Sequence, residues 1–189
     1  MSRSTDSRDR MIASAALLLR EQGLTGTSFG DVIEHSGAPR GSIYHHFPGG
    51  KAQLVEEAVR FAGRYVERLI AQAGDDPLEA LRLFLATWRD TLQEGEFRAG
   101  CPVVAVAVEA QDEHPQLAEA AAAAFAAWQD ALAGMLRRRG VDAAEARRLA
   151  TMTVAAVEGA VVLCRAQRST RPLDDVGAVL ADLLGGAAG

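Results

Sequence analysis

Residues 27–47 read TSFGDVIEHSGAPRGSIYHHF, and the fold turns on how this stretch is punctuated. Ser28 is followed three residues later by Asp31, the pattern of a capping box: a hydroxyl that accepts from a first-turn amide and a carboxylate that reaches back to the Ser28 amide. Phe29, Val32 and Ile33 then recur at helical spacing, and Ser36-Gly37 offers a stop after little more than two turns. Pro39 suits a first helical position, where its missing N–H costs nothing. A third short helix is therefore expected from Pro39 to about His46, broken by Phe47-Pro48-Gly49-Gly50. Two short helices joined at a glycine, behind a longer first helix, form the helix-turn-helix pattern.

The chain on either side reads as helix after helix. The first is expected from about Asp6 to Gln22, stopped by Gly23, and the fourth from near Lys51 to about Ala73. Asp76-Pro77 starts another that ends near Glu94, and Pro102 opens an apolar helix to Glu109. Pro115 to Arg139 reads as one long helix closed by Gly140. Asp142 with Glu145 caps the next, to about Arg168, and a last helix starts at Pro172 and ends at Gly185-Gly186. Of the 189 residues, 49% are apolar but only 5% aromatic, so the core is mostly Ala, Leu and Val, a composition that favours close-packed helices. The fold class expected is all-α.

The net charge of −5 is unevenly distributed. Residues 1–51 carry six basic groups (Arg3, Arg8, Arg10, Arg20, Arg40, Lys51) against five acids (Asp6, Asp9, Glu21, Asp31, Glu34), a net +1 that leaves −6 for the rest. An acidic body with an arginine-tipped N-terminal module confines any nucleic-acid contact to one end. Cys101 and Cys164 are too few for a disulfide framework or a zinc-ligand pattern, and free thiols fit a reducing cytoplasm. The N-terminal residues lack a signal-peptide pattern, and no uncharged stretch reaches transmembrane length.

On a helix through residues 39–47, Pro39, Ile43 and Phe47 share an apolar face, while Arg40 with Tyr44 and Gly41 with His45 share another, with Ser42 at its edge. That second face suits a major groove, where arginine reaches guanine edges, hydroxyls and imidazoles reach phosphate, and glycine permits close approach. The plainer readings are a half-buried tyrosine with a wet hydroxyl and a solvated arginine. Adjacent histidines point about 100° apart on a helix, so His45 and His46 are not expected to chelate one ion, and no metal site is expected.

The segment TSFGDVIEHSGAPRGSIYHHFPGGKAQLVEEAV, residues 27–59, resembles the helix-turn-helix signature of the TetR/AcrR family of transcriptional regulators. The Ala-Pro-Arg-Gly-Ser start, the Pro-Gly-Gly-Lys junction and GCPVVAVAVEA at 100–110 are similar to its LmrA/YxaF-like branch. The resemblance implies a helix-turn-helix DNA-binding domain over residues 1–50 and a helical ligand-binding and dimerisation domain over 51–189. It implies a homodimeric repressor on a palindromic double-stranded operator. Thr27 or Ser28 would touch phosphate, Arg40, Gly41 and Ser42 would approach bases, and Tyr44 and His45 would grip the backbone. Lys51 would hold phosphate at a helix start, a role that the attraction of helix N-termini for phosphate also favours. The family often has a hydroxyl residue where Pro39 stands.

Residues 51–189 would then sense and dimerise. Met152, Val154, Ala155, Ala156, Gly159, Ala160, Val162 and Leu163, with Val176, Val179, Leu180, Leu183 and Leu184, offer contact area for a partner copy, or equally an internal core. Phe84, Trp88, Phe97, Val104, Phe125 and Trp128, with Glu158, are candidates to line a cavity for a small apolar or aromatic effector; ordinary core is the plainer reading. Glu109 and Cys164 are further polar candidates, and Cys101 is the better placed of the two thiols for redox sensing, although a core role suits both. No Ser/His/Asp, Cys/His or paired-carboxylate arrangement stands out, so neither an enzyme nor a cofactor is expected. The competing expectation is a helical small-molecule binding protein without operator binding.

Overall fold

The computed structural model describes residues 3–110, 112 and 114–187. Every regular element among them is a helix: α1 (Arg3–Gly26), α2 (Phe29–Ser36), α3 (Ser42–His46), α4 (Gly50–Gln72), α5 (Pro77–Glu94), α6 (Pro102–Glu109), α7 (Pro115–Arg138), α8 (Ala143–Gln167) and α9 (Arg171–Ala187). Packing groups the chain into two compact units, Met1–Gly63 with Cys101–Ala124, and Arg64–Gly100 with Phe125–Gly189.

In the first unit α1 packs on α2, α3 and α6. Its core is built from Met11, Ala15 and Leu19 of α1, Val32 of α2, Ile43 of α3, Leu54 and Val55 of α4, and Val103 and Val106 of α6, all buried. The expected stop at Gly23 is a kink: φ is 77° there, a left-handed value that glycine adopts without a Cβ penalty. The hydroxyl of Thr27 donates to the Gly23 carbonyl at 2.8 Å and holds the chain in that bend. The capping box at Ser28 is present with both of its bonds, and Gly37 closes α2 at φ 63° with its amide donating to the Glu34 carbonyl.

The third helix departs from expectation. It begins at Ser42 and not at Pro39, since Ser42 donates both its amide and its hydroxyl to the Pro39 carbonyl and makes residues 39–41 a turn. Pro39 is exposed, and Ala38 takes the buried place that spacing assigned to Pro39, while Ile43 and Phe47 are buried as expected.

In the second unit α5, α8 and α9 pack on one another. Gly177 of α9 has no Cβ where one would fall 2.6 Å from Leu85 Cδ1 of α5, so that leucine lies against the α9 backbone. Asp174 and Arg89 form an ion pair across the same two helices. The C-terminal end of α7 is tied down by Arg138, whose Nε meets Asp75 Oδ1 at 2.5 Å. Gly185 and Gly186 do not end α9, which continues to Ala187. By length and composition α8 is apolar enough to cross a membrane, but half of its most apolar window is buried inside the protein, as in a core helix.

Candidate nucleic-acid interface

The lead-in to α3 and its outer face carry Arg40, Gly41, Tyr44 and His45, and all four are exposed. Tyr44 is 68% exposed although its ring meets that of Phe29 edge-on at 5.7 Å, so the hydroxyl end is free while the ring is braced. Buried Ile43 and Phe47 fix the helix beneath. The guanidinium of Arg8 lies 5.4 Å from the Phe47 ring centroid and pairs with Glu57 of α4, so α1, α3 and α4 meet at one point. Ser14 and His35 Nδ1, 3.0 Å apart, link α1 to α2.

The three hydroxyls among the expected contact residues Thr27, Ser28 and Ser42 have internal partners. The Thr27 side chain is buried and its hydroxyl donates to the Gly23 carbonyl. The Ser28 hydroxyl accepts from the Asp31 amide at 3.2 Å and donates to Asp31 Oδ2 at 2.6 Å. The Ser42 hydroxyl is turned back onto Pro39 at 2.7 Å. The hydrogen bond from the Ser28 hydroxyl, then that from its amide, then the Lys51 charge hold the Asp31 carboxyl below its usual pKa.

Lys51, the chain's single lysine, is exposed at the start of α4, and its Nζ donates to the Leu24 carbonyl at 2.7 Å. It borders an open cavity of about 280 Å³ together with Leu24, Thr25, Val55, Glu109 and His114. Glu109 ends α6 and accepts from the Thr25 amide at 2.9 Å. Its desolvation raises the carboxyl pKa, but the amide and hydroxyl of Thr25, the Leu24 amide and the Lys51 ammonium outweigh that and hold it below the usual value. The apolar run before Glu109 marked α6 in the sequence; that its last residue grips the end of α1 is a long-range contact no local pattern announces.

Among the expected effector residues, Phe84, Trp88, Phe125 and Trp128 come together. Phe84 meets Trp88 at 6.2 Å and Trp128 at 6.4 Å, and Phe125 meets Trp128 at 5.3 Å, each edge-on. Phe84, Trp88 and Trp128 are buried, and the Trp88 indole N–H has no hydrogen-bond partner among the described residues. Glu158 is buried on α8 of the same unit. Phe97 is half-buried in the left-handed region at φ 59°, outside the ring cluster, and Val104 belongs to the other compact unit. Cys101 and Cys164 are both buried free thiols, and burial raises the pKa of Cys164. Neither has the accessible setting a reactive thiol needs.

Known proteins share this arrangement. Residues 11–58 match the family of bacterial regulatory proteins described as tetR, and residues 77–179 match the C-terminal domain of LmrA/YxaF-like transcriptional regulators. An HTH-type transcriptional regulator of Mycobacterium tuberculosis is 45% identical over 183 residues, covering 94% of this chain and 93% of its own. The HTH-type transcriptional regulator LmrA of Bacillus subtilis is 34% identical over 182 residues, covering 95% and 97%. The crystal structure of a TetR transcriptional regulator from Chloroflexus aurantiacus superposes with a TM-score of 0.79 at 29% identity, over 98% of this chain and 97% of that one. With the helix-turn-helix, the helical remainder and the sequence relationship spanning both, the chain belongs to the TetR family of transcriptional regulators, in its LmrA/YxaF-like branch.

Proposed function

We propose that the protein is a homodimeric repressor that leaves a palindromic operator when a small apolar or aromatic molecule binds its second domain. In this reading residues 1–50 read DNA and residues 51–189 sense and dimerise. The protein acts in the cytoplasm, where the chromosome is, and catalyses nothing. One observation supports it above the others: Arg40, Gly41, Tyr44 and His45 stand exposed over a buried Ile43–Phe47 anchor, with a capping box and a left-handed glycine fixing the preceding turn. Arg40, Gly41 and Ser42 approach base edges, and Tyr44, His45 and Lys51 take phosphates. Ser28 offers its helix start and not its committed hydroxyl.

Dimerisation uses the outer faces of α8 and α9, where Met152, Ala155, Gly159, Val162, Leu163, Val179 and Leu183 are exposed in the single chain. The effector lies against the Phe84, Trp88, Phe125 and Trp128 cluster. A hydrogen-bond acceptor on it satisfies the Trp88 indole, whose burial without a partner is otherwise costly.

Selection from a randomised duplex library tests the operator. A palindromic site with two like half-sites is expected, and no enriched sequence would overturn the repressor reading in favour of a helical small-molecule binding protein. On the selected site Arg40→Ala should lose about 1–3 kcal/mol per half-site and relax one base position. Equal losses on a scrambled duplex would place Arg40 on phosphate instead.

A further inference from the structure

The cavity beside Lys51 contains a carboxylate where a DNA-binding surface gains nothing from one. Gly23 bends α1 at φ 77°, and a Cβ on it would fall 2.3 Å from Glu109 Oε1, so the kink leaves a seat that the Glu109 carboxylate fills. From that seat Glu109 accepts the Thr25 amide at 2.9 Å, and it shares the cavity with Lys51, whose Nζ is held on the Leu24 carbonyl at 2.7 Å. An anionic oxygen beside backbone amides and one ammonium is also what a DNA phosphate would be. The neighbouring carboxylate, Asp31, is occupied by the amide and the hydroxyl of Ser28, which both donate to it. Glu109 has no such local task.

We propose that Glu109 is an internal competitor for DNA phosphate: the Leu24 carbonyl holds the Lys51 ammonium at the kinked end of α1, and the charge of the Glu109 carboxylate across the same cavity favours that position when no DNA is bound. The inference rests on the reading of Lys51 as a phosphate contact. Lys51 then has two exclusive assignments, and Glu109 sets the balance between them. Because Glu109 is the last residue of α6, whatever moves the end of α6 changes how firmly Lys51 is held. Glu109 is a positioning residue, acting on DNA only through Lys51.

Glu109→Gln keeps the shape and an acceptor for Thr25 but removes the charge. Binding to a mixed-sequence duplex at fixed salt suffices, since a phosphate contact is independent of sequence. Glu109→Gln should bind up to about twofold tighter, the low end of exposed charge-pair effects, since the two charges share the cavity without forming an ion pair. Exposed Glu119→Gln, an equal change in net charge elsewhere in the same unit, should gain less. With Lys51→Ala the gain from Glu109→Gln should vanish. A gain that persists without Lys51, or no gain at all, overturns the proposal. Lys51→Ala alone should flatten the salt dependence by about one unit of slope per protomer. An unchanged slope would show that the phosphate reading of Lys51 has failed, and the competition with it.

A second measurement needs no DNA. In protein labelled with 15N-lysine only one side-chain ammonium exists. Its resonance should move on Glu109→Gln, and an unmoved resonance overturns the proposal even where affinity changes.

Discussion

The Arg8 guanidinium sits 5.4 Å from the centre of the Phe47 ring while it pairs with Glu57, so one residue of the first helix fixes the end of the third and a flank of the fourth. A positive group over a ring face and a partly buried ion pair act on the same side chain, and the arginine stem covers the aromatic ring. Arg8→Ala should destabilise the protein by about 1–2 kcal/mol and loosen the anchor of α3. Urea unfolding gives the first quantity, and amide exchange at Ile43 and Phe47 gives the second. Arg8→Lys, which keeps charge but not the planar fork, should recover only part.

Gly37 and Gly23 separate backbone strain from crowding. Both have left-handed φ, but a Cβ on Gly37 meets nothing within 4 Å, whereas one on Gly23 runs into the Glu109 carboxylate. Gly37→Ala should cost about 1 kcal/mol of stability, from the left-handed conformation alone. Gly23→Ala should cost more and should also disturb the Thr25 amide. Thermal melts of the two variants, with the Thr25 chemical shift, check the order.

The capping box predicts a pH signature. The Asp31 pKa is lowered in the folded protein, so its contribution is complete above the usual aspartate range and is lost as pH falls through the lowered value. Ser28→Ala removes the first cause of that shift and one cap bond. Its stability deficit should be full at neutral pH and shrink in acid. Paired denaturant titrations at neutral and acid pH test this; a deficit that grows in acid would refute the assignment.

The outer face of α8 and α9 predicts a dimer sensitive to charge. Val162 is 54% exposed and Leu163 48% in the single chain. Val162→Glu should convert a dimer at micromolar concentration to monomer, because a symmetric interface receives the charge twice. Sedimentation velocity reads the outcome, and a wild-type monomer would refute the interface.

The sequence alone determined the order of helices, because its stops and starts are local. Proline after a cap residue at Pro77, glycine at Gly37 and Ser28 with Asp31 each act within one turn, so α2, α5 and α6 fall where the pattern puts them. The inner and outer faces of the third helix were legible for the same reason, in buried Ile43 beside exposed Tyr44. Only tertiary structure decided which half of an all-round apolar helix faces inward: Val154 and Ala160 are buried, while Met152 and Val162, of the same character, are exposed. It also decided that Pro39 starts a turn and not a helix, that the Thr27 hydroxyl turns inward to Gly23, and that Glu109 meets Thr25 across 84 positions of chain. Hydrophobic periodicity records that a face will be covered but not by what, and a long-range hydrogen bond leaves no trace in the spacing of either partner.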